Sequence, residues 1–213
     1  MNRFIVLVSA LVLLFSMQHC AWLKSITHKK KGIDSTHNVI KKNTIVVTPC
    51  LVRTAKIHSH ILCNSEVKYA QSYDNLNPMD KFMMNEGFNR NEMQGKIEID
   101  ILVENPNTLP TKVEHLKWQA VFENKLLDSG TVTIQNKINP QENYWVRIKV
   151  QYNAMKITTK NTMLTKTNTA LQLNEFKHLQ LFTQIDSYPV YDANNIIVQG
   201  TCKDTVMKML ILK

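Results

Sequence analysis

Glycine is scarce in this chain, at five residues in 213. No G-x-G-x-x-G or Walker pattern can be assembled from so few, so a glycine-rich phosphate cradle is excluded. The four cysteines, Cys20, Cys50, Cys63 and Cys202, include no C-x-x-C pair. That removes the zinc-knuckle and thioredoxin-like readings. No G-x-S-x-G elbow is present, and no segment repeats at a period of ~20–50 residues. Extremes of composition are absent too. A 44% hydrophobic and 20% charged chain is ordinary for a globular protein, long enough for one substantial domain and an N-terminal appendage.

What is present begins with an apolar run from Phe4 to Phe15, broken only by Ser9 and preceded by Arg3. The run is short for a bilayer span of about 20 residues and suits the core of an export signal. Cys20 then stands where a bacterial lipoprotein is cleaved and acylated, although His19 occupies a position where a small residue is usual. The alternative is an uncleaved anchor reaching Leu23. Against it, Lys24 and Lys29 to Lys31 outnumber the single Arg3 on the other side, which disfavours exporting the body of the chain in that form. Residues 1–23 are therefore read as a signal peptide or membrane anchor, residues 24–44 as a basic flexible tether, and residues 45–213 as the folded part. The expected location is the cell envelope, with membrane attachment through the N-terminal segment. Loss of residues 1–19 removes Arg3 and no acid, leaving 25 basic against 17 acidic side chains, a charge of +8. The lysines are dispersed apart from Lys29–Lys31, so solubility accounts for the charge without a nucleic-acid partner.

Strand periodicity dominates the rest. Ile97, Ile99, Ile101 and Val103 alternate with Lys96, Glu98, Asp100 and Glu104, the period of two of a half-buried strand. Pro106 removes a backbone donor and restricts Asn105, so this ladder ends there. Leu116, Trp118, Ala120 and Phe122 form a second inward row, with a turn at Glu123–Lys125. Tyr144, Val146, Ile148, Val150 and Tyr152 form another. Leu51 to Cys63 fits neither template well and is assigned to a strand on its β-branched content. Tyr73 to Gln94, rich in Met and Asn, reads as an irregular or partly helical excursion rather than core. A short helix is compatible with Thr159–Phe176. Segments 179–185, 196–200 and 205–212 resume strand character. The expected fold is all-β, an antiparallel fibronectin- or immunoglobulin-like sandwich of about seven strands, best supported over residues 96–213.

Candidate chemistry is thin. His58 and His60 alternate and would share one strand face, where Cys50 or Cys63 would complete a metal site; ordinary polar side chains are the favoured reading. Met79, Met83, Met84 and Met93 suit gap filling or an adaptable loop better than soft-metal binding. Cys50 with Cys63 forms either a disulfide or two buried thiols. Glu98 and Asp100 belong to a solvated strand face rather than an acid–base pair. Trp118 is read as core, and Trp145 as the exposed aromatic worth testing. No catalytic residue, cofactor or small-molecule substrate is expected.

The succession Val103-Glu-Asn-Pro-Asn107, Leu109-Pro110, Val113 to Phe122 and Leu127-Asp-Ser-Gly-Thr-Val132 resembles the late-embryogenesis-abundant type 2 family, or water-stress and hypersensitive-response (WHy) domain. Ile185–Val190 and Ile196–Gly200 are similar to that family's closing pair of strands. The resemblance spans about 110 residues, and the 45–95 region departs from it. It implies a non-catalytic sandwich with a membrane-proximal or stress-protective role, in which Asn105, Pro106, Asn107 and Gly130 are structural. A lipoprotein subunit of an envelope complex or secretion apparatus, docking a protein partner and lipidated at Cys20, is the first rival. A metal-binding protein centred on His58 and His60 is the second.

Overall fold

A computed structural model describes residues 43–191, 196–204 and 206–210. The expected signal or anchor, its lipidation candidate Cys20 and tether residues 24–42 lie outside the described residues. Among the described residues no helix is long and apolar enough to cross a membrane.

The fold is mostly β, in two antiparallel sheets packed as a sandwich. One layer has the order β3–β2–β4–β8, from β2 (Leu51–Leu62), β3 (Ser65–Glu66), β4 (Gln94–Glu104) and β8 (Asn143–Asn153). The other has the order β11–β9–β5–β6, from β5 (Thr111–Phe122), β6 (Lys125–Thr133), β9 (Leu179–Pro189) and β11 (Lys208–Met209); β7 (Lys137–Ile138) also pairs with β5. A separate parallel ribbon joins β1 (Asn43–Val47) to β10 (Ile196–Gly200). About seven strands were expected. Among the described residues there are eleven, six of them nine residues or longer.

The alternating rows explain the layers. Ile97, Ile99, Ile101 and Val103 face Leu116, Trp118, Ala120 and Phe122 within one buried cluster that also takes Val146, Ile148 and Val150. Each such side chain contributes about 1.5–3 kcal/mol relative to exposure. A two-residue turn with positive φ at Glu123 and Asn124 connects β5 to β6, the geometry that matches strand twist. Gly130 sits opposite Trp118, and a Cβ there would meet indole Cζ2 at 2.9 Å. The glycine therefore gives the Trp118 ring its seat.

Strand β2 is continuous over 12 residues but carries two bulges, between Val52 and Thr54 and between Ile57 and Ser59. Its inward residues are Val52, Ala55, Ile57, His60 and Leu62, spaced by three, two, three and two. Each bulge resets the pleat, which is why the segment matches no simple template.

Three expectations are corrected. The 73–94 excursion contributes to the core: after a 3₁₀ turn at Tyr73–Asn75, helix α1 (Pro78–Asn89) buries Met84, and Met93 follows, both fully enclosed. Asn77 caps α1 by accepting from the Asp80 amide at 2.9 Å, and Pro78 occupies the first helical position, where no donor is needed. Secondly, Ile185–Val190 and Ile196–Gly200 do not pair as closing strands. Strand β9 lies between β5 and β11, while β10 pairs with β1. Thirdly, strand β1 begins two residues inside the expected tether.

The other helices are α2 (Ala154–Ile157) and α3 (Met163–Leu171), the latter capped by Thr162 and followed by a 3₁₀ turn at Gln172–Asn174. Lys166 of α3 is buried and donates to the carbonyls of Met155 and Thr158, both at 2.6 Å, satisfying orphan acceptors at the end of α2. Both helical excursions leave the sandwich at one pole, after β2 and after β8, and return through β4 and β9. The Asn105 turn lies at the other pole.

Gly95 marks how tightly the helical pole is packed. A Cβ there would lie 2.1 Å from Tyr152 Cζ, so Gly95→Ala must displace the ring or the strand. We expect a loss of about 2 kcal/mol or more and a Tm lower by roughly 4–8 °C in thermal unfolding. Gly130→Ala, against an indole edge, should cost less.

Candidate functional site

Three side-chain arrangements stand out, one at each pole and one on an open sheet face. At the first pole Pro106 ends β4, and Asn105 is fully buried. Its Nδ2 donates to the carbonyls of Leu109 at 2.8 Å and Ile138 at 3.0 Å. Two acceptors on that side fix the amide's orientation. Its Oδ1 accepts from the Asn107 amide at 3.0 Å, an Asx turn, from Asn107 Nδ2 at 3.0 Å and from Thr111 Oγ1 at 3.1 Å. The Asn105 backbone is also paired, its N–H to Glu142 O and its carbonyl to Gln141 N–H. Asn107 extends the network: its Oδ1 accepts from the Thr48 amide at 2.8 Å, and its Nδ2 donates to Thr48 O at 3.0 Å. These two asparagines act as substitute backbone, joining the link between β1 and β2, the end of β4 and the β7 region.

The second pole holds His60. The bulge at Ile57/Ser59 puts His58 and His60 on opposite faces, contrary to the expectation from simple alternation. His60 is fully buried, with Nδ1 2.6 Å from Asn174 Oδ1 and Nε2 2.5 Å from the Tyr152 hydroxyl. Asn174 Nδ2 donates to Val67 O and Ala70 O, each at 2.9 Å, so its Oδ1 must face the ring. His60 is therefore the neutral tautomer protonated at Nδ1, accepting from Tyr152 at Nε2. Burial lowers its pKa to about 4, against the opposing pull of the Asn174 bond and the Glu66 charge. Burial also pushes the Tyr152 phenol well above its usual value. Both His60 ring nitrogens are engaged, and no cluster of three or more His, Cys, Asp or Glu is placed to hold a metal among the described residues.

The third arrangement is the outer face of β2, β4 and β8. Lys56 pairs in register with Asp100, and Asp100 with Arg147; Glu98 faces Lys149, and Leu102 faces Trp145. Asp100 accepts from Arg147 Nε at 2.7 Å, while His58 Nδ1 lies 3.4 Å from its other oxygen. Glu98 meets Lys96 at 2.9 Å and, further off, Arg147 and Lys149. Arg53 forms an ion pair with Glu104. The Arg147 hydrogen bond holds the Asp100 carboxyl below its ordinary range, and the Lys96 bond does the same for Glu98. Trp145 is 46% exposed, with Lys56 Nζ 4.6 Å from its ring centroid, a cation–π contact. Trp118, by contrast, is core.

Cys50, Cys63 and Cys202 are buried free thiols. Cys50 precedes β2 and Cys63 follows it, so about 40 Å of extended strand separates them. A disulfide requires Cα atoms within ~7 Å, which rules out that pairing. Desolvation raises both thiols to about 11, keeping them protonated and unreactive.

No family model matches the chain, and no curated protein does. Solved structures are similar over part of it, two of them as follows. A protein from Archaeoglobus fulgidus aligns with a TM-score of 0.30 at 10% identity, over 55% of this chain and 81% of its own. A structure assigned to an ApaA protein of Bordetella pertussis aligns with a TM-score of 0.32 at 9% identity, over 78% of this chain and 92% of its own. At these values neither neighbour carries information about function.

Asn105→Ala would remove the donor to Ile138 O, leave Leu109 O with only the 3.3 Å bond from Thr111 Oγ1, and deprive the Asn107 amide of its acceptor, each lost bond costing about 1–3 kcal/mol. We expect a total loss of roughly 3–5 kcal/mol in urea unfolding. Asn105→Asp, equal in size, should fare no better, because a carboxylate would face those same two carbonyls.

Proposed function

We propose that this chain is a non-catalytic, membrane-attached sandwich of the cell envelope that docks a protein partner on the outer face of β2, β4 and β8. The observation that carries the reading is Trp145, half exposed under Lys56 and bordered by paired charges. Tryptophan and arginine are the side chains over-represented where partners bind tightly. Ion pairs fixed within the sheet add orientation and on-rate selectivity more than raw affinity. Asp100 and Glu98 are each held by cations, which suits recognition better than proton transfer.

The resemblance of Val103–Asn107 and the strands after it to the WHy family supports the same reading, as a binding or stress-protective module. The apolar run Phe4–Phe15 supports attachment, either through acylated Cys20, as in a lipoprotein subunit of an envelope assembly, or through an uncleaved anchor. Intact mass of the protein extracted from membranes separates these two.

Full-length chain carrying photoreactive p-benzoylphenylalanine in place of Trp145 should yield one discrete cross-linked adduct in the membrane fraction. The same residue at Leu126, exposed on β6, should not. Equal adducts at both positions, or none at 145, would defeat the docking face. Deleting residues 1–42, which leaves β1 whole, should release the protein to the soluble fraction, and unchanged fractionation would defeat the anchor.

A further inference from the structure

The His60 knot is more than a packing detail, because of where its bonds lead. On one side the ring is fixed to the sandwich: His60 belongs to β2, and Tyr152 to β8 beside Gly95. On the other side it holds Asn174, which in turn holds Val67 O and Ala70 O. Asn168 of α3 accepts from the Tyr73 amide at 2.6 Å, so the 65–76 segment, α3 and the turn after it form one bonded lobe. The ring nitrogens of His60 bind that lobe to the ends of β2 and β8, beside the β2–β3 pairing and the Val67 amide bond to His60 O at 2.7 Å at one edge and the Lys166 bonds to Met155 O and Thr158 O at the other.

The knot tolerates one protonation state. A proton on Nε2 would turn an acceptor into a donor pointed at the Tyr152 oxygen. The phenol proton would then need another acceptor, and among the described residues the Tyr152 hydroxyl has no hydrogen bond other than the one to His60. The surroundings do not compensate the charge. From β3, Glu66 spends its Oε1 on the His60 backbone amide at 3.0 Å rather than on the ring. Behind Tyr152 lies the neutral Cys63 thiol. Lys68, Glu175 and His178 line the cleft on the far side of Asn174. Among the described residues no carboxylate is bonded to the ring.

We propose that His60 is an acid-sensitive latch: its protonation releases residues 68–76 and 167–174, which hinge on the β2–β3 pairing and on Lys166, while the β2–β3, β4, β5 and β9 pairings persist. The sign follows from linkage. In the opened lobe His60 takes a proton near its ordinary value of 6.5, whereas the closed lobe resists until about 4. Closure is therefore fully favoured above about pH 6.5 and weakens as pH falls through that window. The opening equilibrium should rise up to tenfold per pH unit, by roughly 80-fold between pH 6.5 and 4. The carboxylates of the outer sheet face do not share this window. Glu98 and Asp100 are held below their ordinary values by Lys96 and Arg147, so their pairs survive to lower pH.

Hydrogen exchange between pH 7 and 4.5, corrected for intrinsic rates, tests this on the intact chain. Amides of 68–76 and 167–174 should lose protection by roughly 60-fold, and those of β5 and β9 should not. His60→Gln, neutral at every pH, should flatten the dependence while leaving His58, His115 and His178 in place. Should that variant fail to fold, NMR titration of the wild-type imidazole decides. A midpoint near 4 from the Nδ1–H tautomer supports the latch, and a midpoint at or above 6 overturns it. Lobe protection that ignores pH, or lobe and sandwich opening together, also overturns it.

Discussion

A single buried amide, that of Asn105, sets the boundary conditions for the rest of the molecule. Pro106 stops β4 and deprives the ladder of a donor, so carbonyls near the turn need partners from elsewhere. The Asn105 side chain supplies them in a place water does not reach. Because it spans Leu109 O, Ile138 O, the Asn107 amide and Thr111, it fixes where β5 starts and where β7 returns. Asn107 then fixes Thr48, where the chain leaves β1 toward β2. The facing rows of Ile and Leu residues provide most of the free energy of burial, but burial is non-directional. The register in which those rows meet is chosen by directional bonds, and at this pole they converge on one side chain.

The two poles solve the same problem with different chemistry. Asparagine carries a donor and an acceptor that do not change between pH 4 and 7. Histidine offers the same pair of roles only while neutral. The Asn105 pole is therefore indifferent to proton concentration, and the His60 pole is not. The asymmetry has a structural reason. The Asn105 pole joins strands that must stay in register, while the His60 pole attaches helices that have their own caps at Asn77 and Thr162.

Sequence periodicity was informative where the pleat runs undisturbed. Strands β4 and β8 alternate without interruption over 11 paired positions, so their inward rows and the outward placement of Trp145 are readable from the residue order. Strand β2 was obscured by its two bulges. The same bulges set Lys56 over Trp145 and separate His58 from His60, so that part of the outer face was hidden as well. The His60 knot leaves almost no local signal, since its partners stand 92 and 114 positions away. The core role of Met84 and Met93 was hidden for a related reason. An unbranched side chain fills whatever gap the tertiary packing leaves, and the gap is not written in the local pattern. The pairing of β10 with β1 rather than β9 is a non-local choice that short-range order does not encode.

That last pairing bears on the order in which the chain assembles. Asn43 and Ile196 are partners in the ribbon, and closing so long a loop in one step is entropically expensive. The Asn107 clamp on Thr48 and the bond from the Val190 amide to Pro110 O at 2.7 Å change the problem. Once both are made, only roughly ten residues of free chain separate the two strands. Loop closure over that length costs about 2 kcal/mol less than over the whole intervening sequence. The parallel ribbon is thus a late event made cheap by earlier ones, and the turn at Asn105 determines when it becomes possible.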